Sequence, residues 1–223
     1  MSEKDVIEWP GVLIPRTAYN PSLVEARDRL ANRAKVGDWP AVLAALDGDM
    51  RFTPAANDWR VSGSSWFGPL HQAAWFGAPE DVVRALLDRG AWRSLRDSVG
   101  RRPVDIARER GFDTLADALV PIYNVALSAD DAVAMSRRLA VLVEEAVGEV
   151  LEPRVEIRHL DVLCLAERDD EVWFPIPGMY GGFVVKLVKQ RLHVESWSRV
   201  VRGSGRAYVI TADRTTLVDE GFV

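Results

Sequence analysis

The chain has 223 residues, 48% of them hydrophobic and 27% charged, with a formal net charge of −5 and a pI near 5.3. This is an ordinary globular composition, long enough for one large or two small domains, and it does not indicate disorder. The acid excess argues against general nucleic-acid binding, which relies on neutralising many phosphates.

The N-terminus, Met1 to Pro15, carries acidic residues and no apolar run of signal-peptide length. No segment approaches the roughly 20 apolar residues needed to span a bilayer, so a cytoplasmic protein without membrane contact is expected. A single cysteine, Cys164, excludes an internal disulfide and a cysteine-based zinc site, and its apolar neighbours read as a packed core thiol.

Taken in chain order, the first pattern is helix, glycine, helix: Leu30, Ala31 and Ala34, then Gly37, then Val42, Leu43 and Leu46. A long connection follows, from Asp49 to Phe67. The stretch Gly68-Pro69-Leu70-His71-Gln72-Ala73-Ala74-Trp75-Phe76-Gly77 then repeats the pattern more sharply. Pro69 suits a first helical turn, Ala73 and Ala74 permit close approach of a neighbouring helix, and Gly77 can take the positive φ that ends it. From Pro79, Val82, Val83, Leu86 and Leu87 make one apolar stripe, which Gly90 stops. A further copy runs through Asp97, Pro103, Ala107 and Gly111 to Leu115 and Leu119. Its proline and glycine each lie 34 residues after Pro69 and Gly77.

The residues Gly68–Gly77 and Val82–Ala91 resemble an ankyrin repeat, whose period is about 33, with the extra residue at Ala78-Pro79. The resemblance implies an ankyrin-repeat domain over 24–121, after an N-terminal extension over 1–23. It would hold about three repeats, the first degenerate because it lacks the turn and proline signature. It also implies protein binding through turn tips and exposed first-helix positions, here Trp66, Phe67, Trp75, Phe76, Arg101 and Arg102. His71 would bond backbone groups in the turns. A competing reading packs these rings against the long connection or the second domain, with Trp92 a candidate for the domain contact and Trp59 open to either role. The arginines between Arg84 and Arg110 read as solvated helix ends and turns, or alternatively as a basic surface for an acidic partner.

After Pro121 the pattern changes. Ser128 is a candidate N-cap with Asp130 and Asp131 at the positive helix end. Leu139, Leu142, Val143, Ala146, Val147 and Val150 then mark one long amphipathic helix. Strands are expected at Val155–Leu165, Val172–Ile176, Phe183–Val188, Leu192–Val201 and Tyr208–Thr211, with a short one near Leu217. Separators at Asp169-Asp170, Pro177-Gly178, Lys189-Gln190-Arg191 and Gly203-Ser204-Gly205 read as turns, and short connections imply antiparallel neighbours. Residues 122–223 should therefore form an α+β domain: one long helix, then an antiparallel sheet. The run from Trp173 to Phe183 is similar to uncharacterised bacterial proteins, which supplies no activity.

No segment carries a strong catalytic signature. His193-Val194-Glu195 has the H-x-E of zinc deaminases without the accompanying cysteine motif, and His159 with Asp161 lacks further metal ligands. Gly178-Met179-Tyr180-Gly181-Gly182 precedes β-branched residues and no lysine-serine pair, so it reads as a strained loop or bulge, not a phosphate cradle. No cofactor and no metal are expected.

The sequence thus points to a short helical stack joined to an α+β domain. Its expected role is non-enzymatic protein binding as an adaptor, inhibitor or immunity-type protein. The alternative places a small-molecule or enzymatic pocket in the second domain, formed by Tyr180, His159, His193 and Glu195. A third reading gives the arginine-rich region to nucleic acid.

Overall fold

Three helical pairs follow one another in the first half of the chain. They are α1 (Pro21–Lys35) with α2 (Trp39–Leu46), α3 (Pro69–Phe76) with α4 (Glu80–Asp88), and α5 (Pro103–Glu109) with α6 (Asp113–Ala118). The computed structural model describes residues 6–48, 52–150, 156–168, 171–198 and 205–221. It divides into one unit of Pro15–Ile122 and another of Met1–Ile14 with Tyr123–Val223.

Local chemistry sets the helix ends of the first unit. The Asn20 side chain accepts from Ser22 N–H at 2.9 Å to cap α1, and Asp38 accepts from Ala41 N–H at 3.4 Å to cap α2. Pro69 and Pro103 open α3 and α5, where a missing N–H costs nothing. Each first helix ends near a left-handed glycine, at Gly37, Gly77 and Gly111, with φ of 72°, 63° and 77°.

Small and branched residues make the first unit's core. Leu30, Val42, Ala73, Ala74, Val83, Leu86, Ile106, Ala107 and Leu119 are almost wholly buried, and the alanines let α3 lie close to α5. The long connection is ordered from within. Asn57 Nδ2 donates to Gly90 O and its Oδ1 accepts from Trp92 N–H, both at 2.9 Å. Asp58 meets Arg27 at 3.1 Å in a buried ion pair and also accepts from Ala55 N–H. A connection this long needs such partners, because its buried backbone groups have no ladder to satisfy them. Trp59 and Trp92 are both buried.

The second unit is a helix-covered mixed sheet. Its strands are β1 (Val6–Glu8), β2 (Val12–Leu13), β3 (Glu156–Ile157), β4 (Glu171–Ile176), β5 (Gly181–Val188), β6 (Arg191–Ser198), β7 (Arg206–Ile210) and β8 (Thr215–Glu220). Six of them run in the order β1-β4-β5-β6-β7-β8, while β2 and β3 pair separately. Helix α7 (Ala129–Val150) starts as expected, with Ser128 Oγ accepting from Asp131 N–H at 3.0 Å. It buries Ala132, Met135, Leu139, Val143 and Val147. On the sheet's covered face lie Val172, Phe174, Phe183, Val185, Leu187, Leu192, Val194 and Ile210.

Three expectations require correction. The sheet is not wholly antiparallel, because β1 pairs parallel to β4 with Val6 opposite Glu171 and Glu8 opposite Trp173. Residues 6–8 therefore belong to the sheet and not to an N-terminal extension; three residues carry too little alternation to announce a strand. The strand expected over Val155–Leu165 is instead β3 followed by helix α8 (Val162–Glu167). All six residues of α8 are buried, and a short run apolar on every side has no period to separate helix from strand. Asp161 marks the start, its Oδ1 accepting from Leu163 N–H at 2.9 Å. Val155, the Asp169-Asp170 turn, the end of the expected strand at Val200 and Val201, and Gly203-Ser204 lie outside the described residues.

The glycine cluster after β4 has a steric explanation. A Cβ on Gly181 would stand 1.9 Å from Trp197 O, and one on Gly182 would stand 2.2 Å from Phe174 O. The cluster is a turn entering a strand that neighbouring backbones approach closely.

Candidate functional site

The site builds outward from the turns that precede α3 and α5. Ser98 N–H donates to Ser65 O at 3.1 Å, tying one turn to the next. The Asp97 carboxylate accepts from Val99 N–H at 3.0 Å and Arg101 N–H at 2.8 Å, which closes the second turn around an acid with no exposed side-chain surface. These bonds hold the turn tips in one register, so the side chains they carry form a continuous surface.

Phe67 is the centre of an aromatic and arginine cluster. Its ring stacks on His71 at 5.4 Å and meets Trp75 edge-on at 6.2 Å, while Arg101 lies over it at 6.0 Å. Arg110 covers Trp75 at 4.7 Å and donates to its carbonyl oxygen at 3.3 Å. Phe67 and Trp75 are half-buried against the core, so they are rigid features of the surface. Phe76 projects further and is 45% exposed. His71 is buried: its Nδ1 accepts from Gly68 N–H at 3.3 Å and its Nε2 faces Leu95 O at 3.0 Å, the turn-bonding place implied for it.

The arginines expected to meet a partner are engaged within the chain. Arg101 sits between Asp97 and Glu109, each at 2.9 Å, and the Asp97 hydrogen bond raises its pKa above the ordinary arginine value. Arg102 meets Asp105 at 3.2 Å, Arg84 meets Glu80 at 2.7 Å, and Arg89 meets Asp47 at 2.6 Å. Arg84, Arg89, Arg101 and Arg102 are thus ion-paired at helix ends and turns. The Arg108 side chain, exposed on α5, has no partner among the described residues.

Two features of this face were not anticipated. Val99, at the tip of the second turn, is 72% exposed; an apolar residue between Ser98 and Gly100 was its only sequence signal. Beside Trp66 lies a recess of about 250 Å³ lined by Lys35, Arg60, Ser64, Ser65 and Gln72 among others. It is formed by the long connection, which has no repeat register, so nothing in the spacing announced it. Trp66 itself turns through a left-handed conformation, φ 55°.

The second unit does not gather its four candidates into one place. His193 and Glu195 share the open face of β6, where His193 stands opposite Lys186 and Val209, and Glu195 opposite Val184 and Ala207. His159 instead reaches Glu144 on α7 at 3.1 Å, and Tyr180 is 73% exposed in the turn before β5, φ 49°. The helix-covered face and the open face of the sheet separate the two histidines. Trp173 and Trp197 stack on the open face at 5.2 Å. Among the described residues no three His, Cys, Asp or Glu side chains are placed to hold a metal ion, and no helix is long and apolar enough to cross a membrane. Cys164 is 1% exposed.

No family model matches the chain. A 44-residue segment is 57% identical to the E3 ubiquitin-protein ligase hecd-1 of Caenorhabditis elegans. That segment is 20% of this chain and spans 2% of the ligase's length, so the similarity is local and carries none of the larger protein's activity with it.

Proposed function

We propose that residues 24–121 form a short ankyrin-type array and that the chain acts by non-enzymatic protein binding, as an adaptor, inhibitor or immunity-type protein. The supporting observation is the repeated unit itself. Proline-initiated α3 and α5 start 34 residues apart, end near left-handed glycines, and carry turns joined by the Ser98–Ser65 bond. Such a surface offers fixed aromatic and apolar groups, Trp75, Phe76 and Val99, which suit a protein interface better than a small-molecule site. A cytoplasmic setting belongs to the same reading, given the lone buried cysteine.

The test is affinity capture from the native host with the full chain and with a Phe76→Glu, Val99→Glu variant. A stoichiometric partner retained by the parent and lost by the variant is the expected result. A partner held equally by both, or none, rejects the reading.

A further inference from the structure

We propose that the recess beside Trp66 receives a carboxylate side chain, so that the partner is bound through an acidic peptide segment; this rests on the protein-binding reading above. The recess lies among α1, the long connection and α3, and its volume of about 250 Å³ is smaller than a typical small-molecule pocket but sufficient for a side chain or two.

Its charge is the first argument. Lys35, in the last turn of α1, has no partner among the described residues. Arg60 is oriented by Asn32 Oδ1, which accepts from it, and lies 3.4 Å from Asp28. Asp28 also pairs with Arg16. One carboxylate therefore serves two guanidiniums while Lys35 stands apart, and nearby Glu25 and Arg29 compensate each other. The local excess is positive in a chain whose net charge is −5. In contrast to Arg101 and Arg102, whose acids lie within hydrogen-bond reach, this cluster is short of an anion.

The uncharged groups complete the chemistry. The side chains of Ser64, Ser65 and Gln72 also have no hydrogen-bond partner among the described residues, so two hydroxyls and an amide remain to donate to a carboxylate. Left-handed backbone at Ser62 and Trp66, φ 60° and 55°, brackets the serines. Non-glycine residues held in that conformation concentrate at binding sites. Trp66 supplies apolar surface, which fits a carboxylate on an aliphatic stem better than a doubly charged, strongly hydrated phosphate.

Peptides selected from a random display library on the full-length chain test this, with binding read by calorimetry and by amide shifts. Enriched peptides should share an acidic residue beside an apolar one, and replacing that acid by its amide should weaken binding about tenfold. Lys35→Glu should weaken binding comparably, whereas Arg108→Glu, outside the recess, should leave affinity within about twofold. Lys35 is exposed, and an unchanged circular dichroism spectrum will show that the fold is intact. Equal binding of acid and amide peptides, or indifference to Lys35→Glu, overturns the proposal. Tighter binding of a phosphoserine version overturns it in favour of a phosphopeptide. Peptides that shift Phe76 and Val99 but ignore Lys35 overturn it while leaving the protein-binding reading in place. An empty selection overturns the proposal, and the capture experiment above then decides the protein-binding reading by itself.

Discussion

Asp105 in α5 does the work that His71 does in α3. Each is the third residue after the helix cap and accepts from the cap's own backbone N–H, Gly68 to His71 Nδ1 at 3.3 Å and Arg102 to Asp105 Oδ2 at 2.9 Å. The two differ in reach. His71 extends a second contact to Leu95 O, at the base of the next turn, and the Asp105 carboxylate meets the Arg102 guanidinium.

That difference sets the cost of removing them. His71→Ala strands two buried backbone groups, Gly68 N–H and Leu95 C=O, and should destabilise the helical unit by about 2–4 kcal/mol. Asp105→Ala removes a half-exposed cap and should cost about 1 kcal/mol. Urea unfolding followed by tryptophan fluorescence will measure both, and equal losses would contradict the inter-turn role of His71.

Acid should weaken the same unit. Burial pushes the Asp105 carboxyl up, but the hydrogen bonds from the Arg102 backbone and side chain, with the charges of Arg102 and Arg96, hold its pKa below the ordinary 3.8. Asp47 is lowered as well, chiefly by its hydrogen bond from Arg89. A depressed folded pKa contributes stability that is complete above the unfolded value and disappears as pH falls through the folded one. The melting temperature should therefore drop as pH falls below about 4, and the difference between the parent and Asp105→Asn should shrink over that interval. A difference that stays constant down to about pH 2 would assign the effect to shape rather than charge.

Two glycines of the same φ class should respond unequally to a methyl group. At Gly111, φ 77°, an added Cβ meets nothing within 4 Å, so Gly111→Ala should cost only the left-handed penalty of about 1–2 kcal/mol. At Gly77, φ 63°, the same Cβ would stand 2.6 Å from the Phe112 ring, and Gly77→Ala should cost more by the displacement of that ring. Thermal melts of the two variants decide it, and equal losses would show that Phe112 moves freely.

Inner and outer residues of the proposed binding face should separate stability from affinity. Arg101→Ala leaves the Asp97 carboxylate without its guanidinium and should lower stability by about 1–3 kcal/mol. Phe76→Ala should leave the melting temperature nearly unchanged and weaken a captured partner about tenfold. Loss of partner binding with Arg101→Ala alone, at unchanged stability, would reverse these assignments.

What the sequence disclosed followed the strength of its local signals. Pro69, Pro103, Gly37, Gly77 and Gly111 have few conformational choices, and the helix boundaries and positive φ values fall where those residues stand. Alternating burial along β4 and β6 was equally legible because one face of each strand is buried and the other is not. The parallel pairing of β1 and the helical state of α8 were not, since both depend on contacts distant in sequence. At the candidate site, residue types were readable but their commitments were not. Arg101 and Arg102 are committed to Asp97, Glu109 and Asp105, which only the fold brings into range, and Lys35 and Arg60 become neighbours only through the path of the long connection.

The pairing of Val6 with Glu171 gives the chain an order of assembly. Strand β1 leaves the ribosome before the whole helical unit, yet its hydrogen-bonding partner is made only after that unit. The early strand must wait with its backbone unpaired while a self-contained block of local contacts can fold behind it. The helical unit is, in topological terms, an insertion between an edge strand and the rest of its sheet. A fragment beginning at Tyr123 would leave the outer side of β4 open to pairing with other chains, whereas moving β1 by circular permutation to follow β8 would place it after its partner in synthesis and remove the wait.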